Sequence, residues 1–371
     1  MTTMTTMRKT LLALCLATLG LSAAHAQSMP GGPNQPDMTL DTAQRQQIIE
    51  GTISELNKNY VFPEKAKKVE AALRQHQKRG EYQSISSAIQ LSQLLTEHLQ
   101  AETQDRHLRV MYSAQPIPEA SADKKPSPEQ RAAELQDMQK SNFGVERVER
   151  LPFNIGYLDL RGFMPTAEAG TAIAAAMTLL AHTDSLIIDL RKNGGGEPAT
   201  VALLASYFLD ERTHLNDIFF REGNRTEQMW SADYVPGARF GKDKPVYVLT
   251  SRYTFSAAED FSYSMQQLKR VKVVGETTGG GAHPGDVMRL NPHFGVFVPN
   301  GRSINPITKT NWEGTGVSPD IKSSAEDALK TAQLTILKQI AAAEKNPGRL
   351  ARLEARMSKV QAEDTSQVMA R

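Results

Sequence analysis

Four short apolar runs, separated by stretches with helical character, constrain this chain most. Ile155-Gly156-Tyr157-Leu158-Asp159-Leu160 alternates like a strand, and Ser185-Leu186-Ile187-Ile188-Asp189 follows an alanine-rich helical stretch at 167–180. A second helical stretch at 200–209 precedes the runs at 246–249 and 271–274. Strands without a polar face must be covered on both sides, so this β–α alternation predicts an α/β core with a mainly parallel sheet. With 371 residues, 40% hydrophobic and 23% charged, the chain can form a sizeable core and a second domain.

The stretch 246–260 joins a buried strand to a helix through small and polar residues, with Ser256 at the turn. A serine there sits at the tip of a rigid element, beside the free N–H groups of a helix start. That is the placement of a nucleophile next to an anion-stabilising site. It is equally the placement of an N-cap, since Glu259 three residues on completes a capping box. The turn Asn193-Gly194-Gly195-Gly196 lacks the Lys-Ser/Thr of a phosphate loop and the spacing of a dinucleotide fingerprint. Two readings remain: a tight turn, or a backbone donor site in which glycine N–H groups approach a reacting oxygen.

Residues 27–39, rich in Gly and Pro, read as a disordered leader. Residues 40–112 read as a small helical domain, with Ile48, Ile49, Ile53 and Leu56 on one face, a helix opened by Pro63, and a third through Leu91, Leu95 and Leu99. It ends at His107, before a short strand at 108–112. Residues 113–143 read as a linker with one helix opened by Pro128, and 144–345 as the core. Within the core, His283 lies on a glycine-rich loop and Glu313 on a turn-rich segment. Residues 346–371 read as a polar tail, in which Leu350, Leu353 and Met357 keep helical spacing.

At the N-terminus, Arg8 and Lys9 precede a short apolar run and the Ala24-His25-Ala26 cleavage pattern. This predicts a signal peptide over 1–26, export to the periplasm or medium, and no membrane-spanning segment after cleavage. The single cysteine, Cys15, lies inside that segment, so disulfides and thiolate chemistry are not expected. Cleavage also removes both excess positive charges and leaves the net charge near zero, which argues against a nucleic-acid surface. HExxH is absent, no His/Asp set has ligand spacing, and no metal or cofactor is expected. His182, His214 and His293 read as surface residues.

Taken together, LIIDLRKNGGG, the SAAE of Ser256 to Glu259, VVGETTGGGAHPG and EGTGVSPD resemble the tail-specific (C-terminal processing) serine peptidase family. The tract from YVFPEKA to DRHLRV is most similar to its interphotoreceptor retinoid-binding-protein-like branch. The resemblance implies a crotonase-like or Clp-protease-like spiral α/β core behind a helical N-terminal domain. Two departures stand out. Gly281 occupies the place of the lysine in Ser/Lys members, and residues 113–142 lack an inserted PDZ domain. By similarity to the tricorn core protease, Ser256 is the expected nucleophile, His107 its base and Glu313 the group that orients the imidazole. Ala257 and Gly194 or Gly195 would supply the oxyanion hole, and His283 is the alternative base. The implied activity is an exported serine peptidase acting on peptides or unfolded chains, with a homo-oligomer left open. The alternative on this fold is a non-catalytic binder of retinoids or fatty acids.

Overall fold

A computed structural model describes residues 35–117, 127–363 and 365. The expected signal peptide and most of the leader lie outside the described residues. The central sheet has the order β12-β8-β7-β4-β3-β2. Its strands are β2 (Val145–Leu151), β3 (Ile155–Leu160), β4 (Ser185–Asp189), β7 (Val246–Thr250), β8 (Lys272–Gly275) and β12 (Ile321–Lys322). All neighbours are parallel except β2, which forms an antiparallel edge on β3.

Both faces are covered, which explains the continuous apolar strands. Leu186, Ile188, Val246, Val248 and Val273 meet Ile173, Met177, Leu204 and Phe261 from α5 (Thr166–Leu180), α6 (Pro198–Ser206) and α7 (Ala257–Gln267). The alternate residues Tyr157, Ile187, Tyr247, Leu249 and Val274 meet Ala328, Ala332 and Ile336 of α8 (Ala328–Ala343). Leu353 and Val360 of α9 (Pro347–Ala362) belong to the same cluster and are fully buried. The expected polar tail is therefore a docked helix, because its apolar stripe runs on to Val360 and closes over α8.

The N-terminal helices are α1 (Thr42–Asn59), α2 (Pro63–Lys78) and α3 (Ala88–Thr103). Asp41 caps α1 in a capping box with Gln44, Pro63 opens α2 and Ser87 caps α3. These helices are not a separate unit. The strand after them, β1 (Arg109–Tyr112), pairs antiparallel with β10 (Phe294–Pro299), which pairs with β9 (Gly285–Asn291). Ile48, Leu56, Leu91 and Leu95 share one core with Phe294, Val296 and Val298. The expected boundary at 112 thus cuts through a sheet. Among the described residues, the α-helix α4 (Pro128–Lys140) lies between β1 and β2, and residues 113–144 are too few for an inserted PDZ domain. A third sheet of β5 (His214–Phe220), β6 (Arg225–Trp230) and β11 (Gly301–Ile304) had no clear sequence signal, since β5 breaks the apolar alternation with Asn216-Asp217 and β6 opens with four polar residues.

Candidate active site

The parallel strands β4, β7 and β8 end at the same edge of the sheet, where open α/β folds place their ligands. From β4 runs the Asn193–Gly196 turn, from β7 the loop to Ser256, and from β8 the loop that reaches Gly281 and His283.

The first two loops are stapled together. Ser251 Oγ donates to the Arg191 carbonyl at 2.5 Å and Thr254 Oγ1 to the Leu190 carbonyl at 2.8 Å. The Phe255 amide donates to the Asn193 carbonyl at 3.1 Å. Beneath them Arg191 and Asp189 form a buried ion pair at 2.5 Å, with Tyr157 donating to Asp189 at 2.8 Å. Ser256 is the N-cap residue of α7, with φ 55° and ψ −121°. This is a strained conformation for a side chain other than glycine, and it persists only where the surroundings impose it.

Gly195 shows why the glycine turn lies there. A Cβ on it would stand 2.7 Å from Ser256 Cβ and 3.1 Å from the Ala257 amide, at φ 112°. Its own N–H, however, donates to Asn193 Oδ1 at 2.9 Å. Gly195 therefore gives close approach and its amide is not a free donor. Among the described residues, no hydrogen bond occupies the amides of Gly194 or Ala257. Those two remain able to stabilise an oxyanion.

His107 comes from the other half of the chain. Its ring lies 4.5 Å from that of Phe255, the residue before Ser256. A Cβ on Gly281 would stand 2.6 Å from His107 Cε1 and 2.2 Å from Phe255 Cζ. The histidine thus fills the space where a side chain at 281 would begin. His107 is buried and its Nδ1 has no hydrogen-bond partner. Burial pushes it down to about 4, so the ring is neutral at pH 7 and can accept a proton.

Glu313 does not pair with His107. Its Oε2 accepts from the Ala282 amide at 2.5 Å and lies 3.3 Å from His283 Nδ1, while its Oε1 is buried without a partner. Sequence order gave no sign of this, because the loop after β8 swings His283 between Glu313 and Asp105. His283 Nδ1 lies 2.7 Å from Asp105 Oδ2, which also accepts from the Tyr60 hydroxyl at 3.1 Å. Asp105 Oδ1 accepts from the backbone N–H of His107 at 3.1 Å. Burial pushes the Asp105 carboxyl up, but the hydrogen bond and charge of His283 hold it below the ordinary value. Burial, reinforced by Asp105, pushes Glu313 up to about 7. In the sequence Asp105 reads only as a residue able to cap a turn, two residues before His107.

Among the described residues, two sets of side chains have the composition and spacing of metal ligands, which the sequence did not suggest. Asp105, His283 and Glu313 form one, and His76, Glu81 and His98 on α2, α3 and their connection form the other. In each set the ligand atoms lie within 4.8 Å of one another, and hydrogen bonds already join members of each. Of the remaining histidines, His182 is exposed, whereas His214 and His293 are half-buried with hydrogen bonds of their own.

Comparison with known proteins agrees with this architecture. The family profile of peptidase family S41 matches residues 154–323, and that of its N-terminal domain, as in eukaryotic IRBP, matches 38–147. The chain belongs to peptidase family S41. Relatives in the family include carboxyl-terminal-processing peptidase 1 of Arabidopsis thaliana chloroplasts, 26% identical over 53% of this chain and 40% of the relative. The chloroplastic C-terminal processing peptidase of Tetradesmus obliquus is 31% identical over 46% of this chain and 36% of its own. The chain thus spans about two fifths of the length of these curated relatives. Among solved structures, a Parabacteroides merdae peptidase candidate superposes with TM-score 0.51 at 23% identity, covering 76% of this chain and 90% of that one. A Streptococcus agalactiae lipoprotein gives TM-score 0.50 at 16% identity over 80% and 96%. At these identities the likeness is one of fold.

Proposed function

We propose that the chain is a serine peptidase in which Ser256 is the nucleophile and His107 the general base. The observation that carries this reading is the position of His107. A neutral, buried imidazole packs on Phe255 and on the Cα of Gly281, beside the strained turn that presents Ser256. In the Ser/Lys peptidases, position 281 supplies the lysine. Here glycine vacates that space and the histidine ring lies in it, against Phe255, which precedes the serine. The amides of Ala257 and Gly194, which no hydrogen bond occupies among the described residues, are the proposed oxyanion donors.

The acid is the Asp105–His283–Glu313 group rather than Glu313 alone. Asp105 holds the backbone of His107, and its negative charge favours the imidazolium formed during acylation. Peptides or unfolded chains are the substrate class that this family suggests, and export follows from the cleavable segment expected at 1–26. Among the described residues no helix is long and apolar enough to cross a membrane.

Fluorophosphonate labelling of the chain from Gln27 tests the reading. The wild type is expected to label, Ser256→Ala to lose all labelling, and His107→Ala to slow it by about 100-fold or more. His283→Ala is expected to slow it less. A folded wild type that does not label overturns the proposal and directs attention to apolar-ligand binding.

A further inference from the structure

Glu259 has a structural role as the third residue of the capping box on α7, yet its partners extend well beyond the helix. Its side chain is fully buried. Oε2 accepts from the Ser256 amide at 2.9 Å and from the Gly281 amide at 2.8 Å. Oε1 accepts from the Gly280 amide at 2.7 Å and from the Thr278 hydroxyl at 2.5 Å. One carboxylate thus ties the backbone of Ser256 to the loop whose Gly281 abuts His107.

The donor set fixes the charge this arrangement needs. Three of the four partners are amide N–H groups, which cannot accept a proton. The fourth, Thr278 Oγ1, already accepts from the Val317 amide at 2.7 Å, so its hydrogen points to Glu259. A protonated Glu259 could place its proton only on Thr278, which would then lose its own donation. Both oxygens are saturated only in the anion, yet among the described residues no hydrogen bond to it from a lysine or arginine accompanies these four. We propose that Glu259 is a positioning residue whose ionised form sets the spacing between Ser256 and the His107 side of the site, so that acidification uncouples the two. The proposal rests on the serine-peptidase reading above.

Burial pushes Glu259 up to about 7, against the pull of its hydrogen bonds. Ionisation therefore falls in the physiological range, and the anion is lost as pH drops through 7. Other titratable groups lie on the packed elements: Glu313, His107, Asp105 and His283. On its own helix, Asp260 turns away to Asn216 and Ser264.

The test is the pH dependence of the fluorophosphonate labelling rate. The wild type is expected to show an acid limb with a midpoint near 7. Glu259→Gln, folded by circular dichroism, is expected to label about 100-fold more slowly and without that limb. Glu259→Asp, which keeps the charge, is expected to recover part of the rate and the limb. Thr278→Val removes one donor to the anion and is expected to move the midpoint to higher pH. This last variant carries the test if Glu259→Gln does not fold. A slow Glu259→Gln that keeps the limb, a limb lost instead in Glu313→Gln, or an unmoved midpoint in Thr278→Val overturns the inference. A wild type that does not label at all overturns the peptidase reading instead, which keeps the two failures distinct.

Discussion

At the residue scale, α7 carries two adjacent buried carboxylates with different partners. Glu259 meets four donors aimed at its oxygens, whereas Asp260 has only Asn216 and Ser264. Burial pushes Asp260 up to about 6 from 3.8. A carboxyl whose folded value is raised stabilises the fold at low pH, and that contribution disappears as pH rises from about 4 through 6. Asp260→Asn removes this dependence. Its unfolding free energy relative to wild type is expected to improve by about 3 kcal/mol between pH 4 and pH 8, the linkage equivalent of roughly two pH units. Urea denaturation at both pH values measures it, and an unchanged difference would exclude Asp260 as the source.

At the element scale, the site is made of turns after parallel strands, and the first and third of them each contain a position where only glycine fits. Gly195 allows the first turn to touch Ser256, and Gly281 allows the third to lie under His107 and Phe255. Gly281→Ala puts a methyl group in contact with both rings. About a 100-fold loss of labelling is expected, the scale at which small displacements of a catalytic group act. The accompanying stability cost should be only about 1–3 kcal/mol, as for overpacking. Thermal unfolding beside labelling separates the two effects, and a variant that labels like wild type would show that ring placement is not critical. The glycines were visible in the sequence as motifs. Which ring each one faced was not, because His107 and Phe255 lie 148 positions apart in the chain and meet only in the folded structure.

At the scale of the whole molecule, the chain closes on itself at both ends. β1 pairs with β10, so the helical N-terminal part and residues 285–298 share one core, and α9 completes the far face of the main sheet. Truncation after residue 345 removes the fully buried Leu353 and Val360 and exposes their partners on α8. A loss of at least about 3 kcal/mol in stability is expected, from two buried aliphatic side chains, as a lower denaturant midpoint. A truncated chain as stable as the full one would show that α9 is dispensable. The parallel sheet, its covering helices and the turn at Ser256 were determined by local sequence, because apolar period, glycine placement and capping residues act over a few neighbours. The pairing of His283 with Asp105 and Glu313, the fourfold grip of Glu259 and the docking of α9 were decided by tertiary structure. Hydrogen bonds and buried charges select partners by distance in space, and no periodicity along the chain encodes that distance.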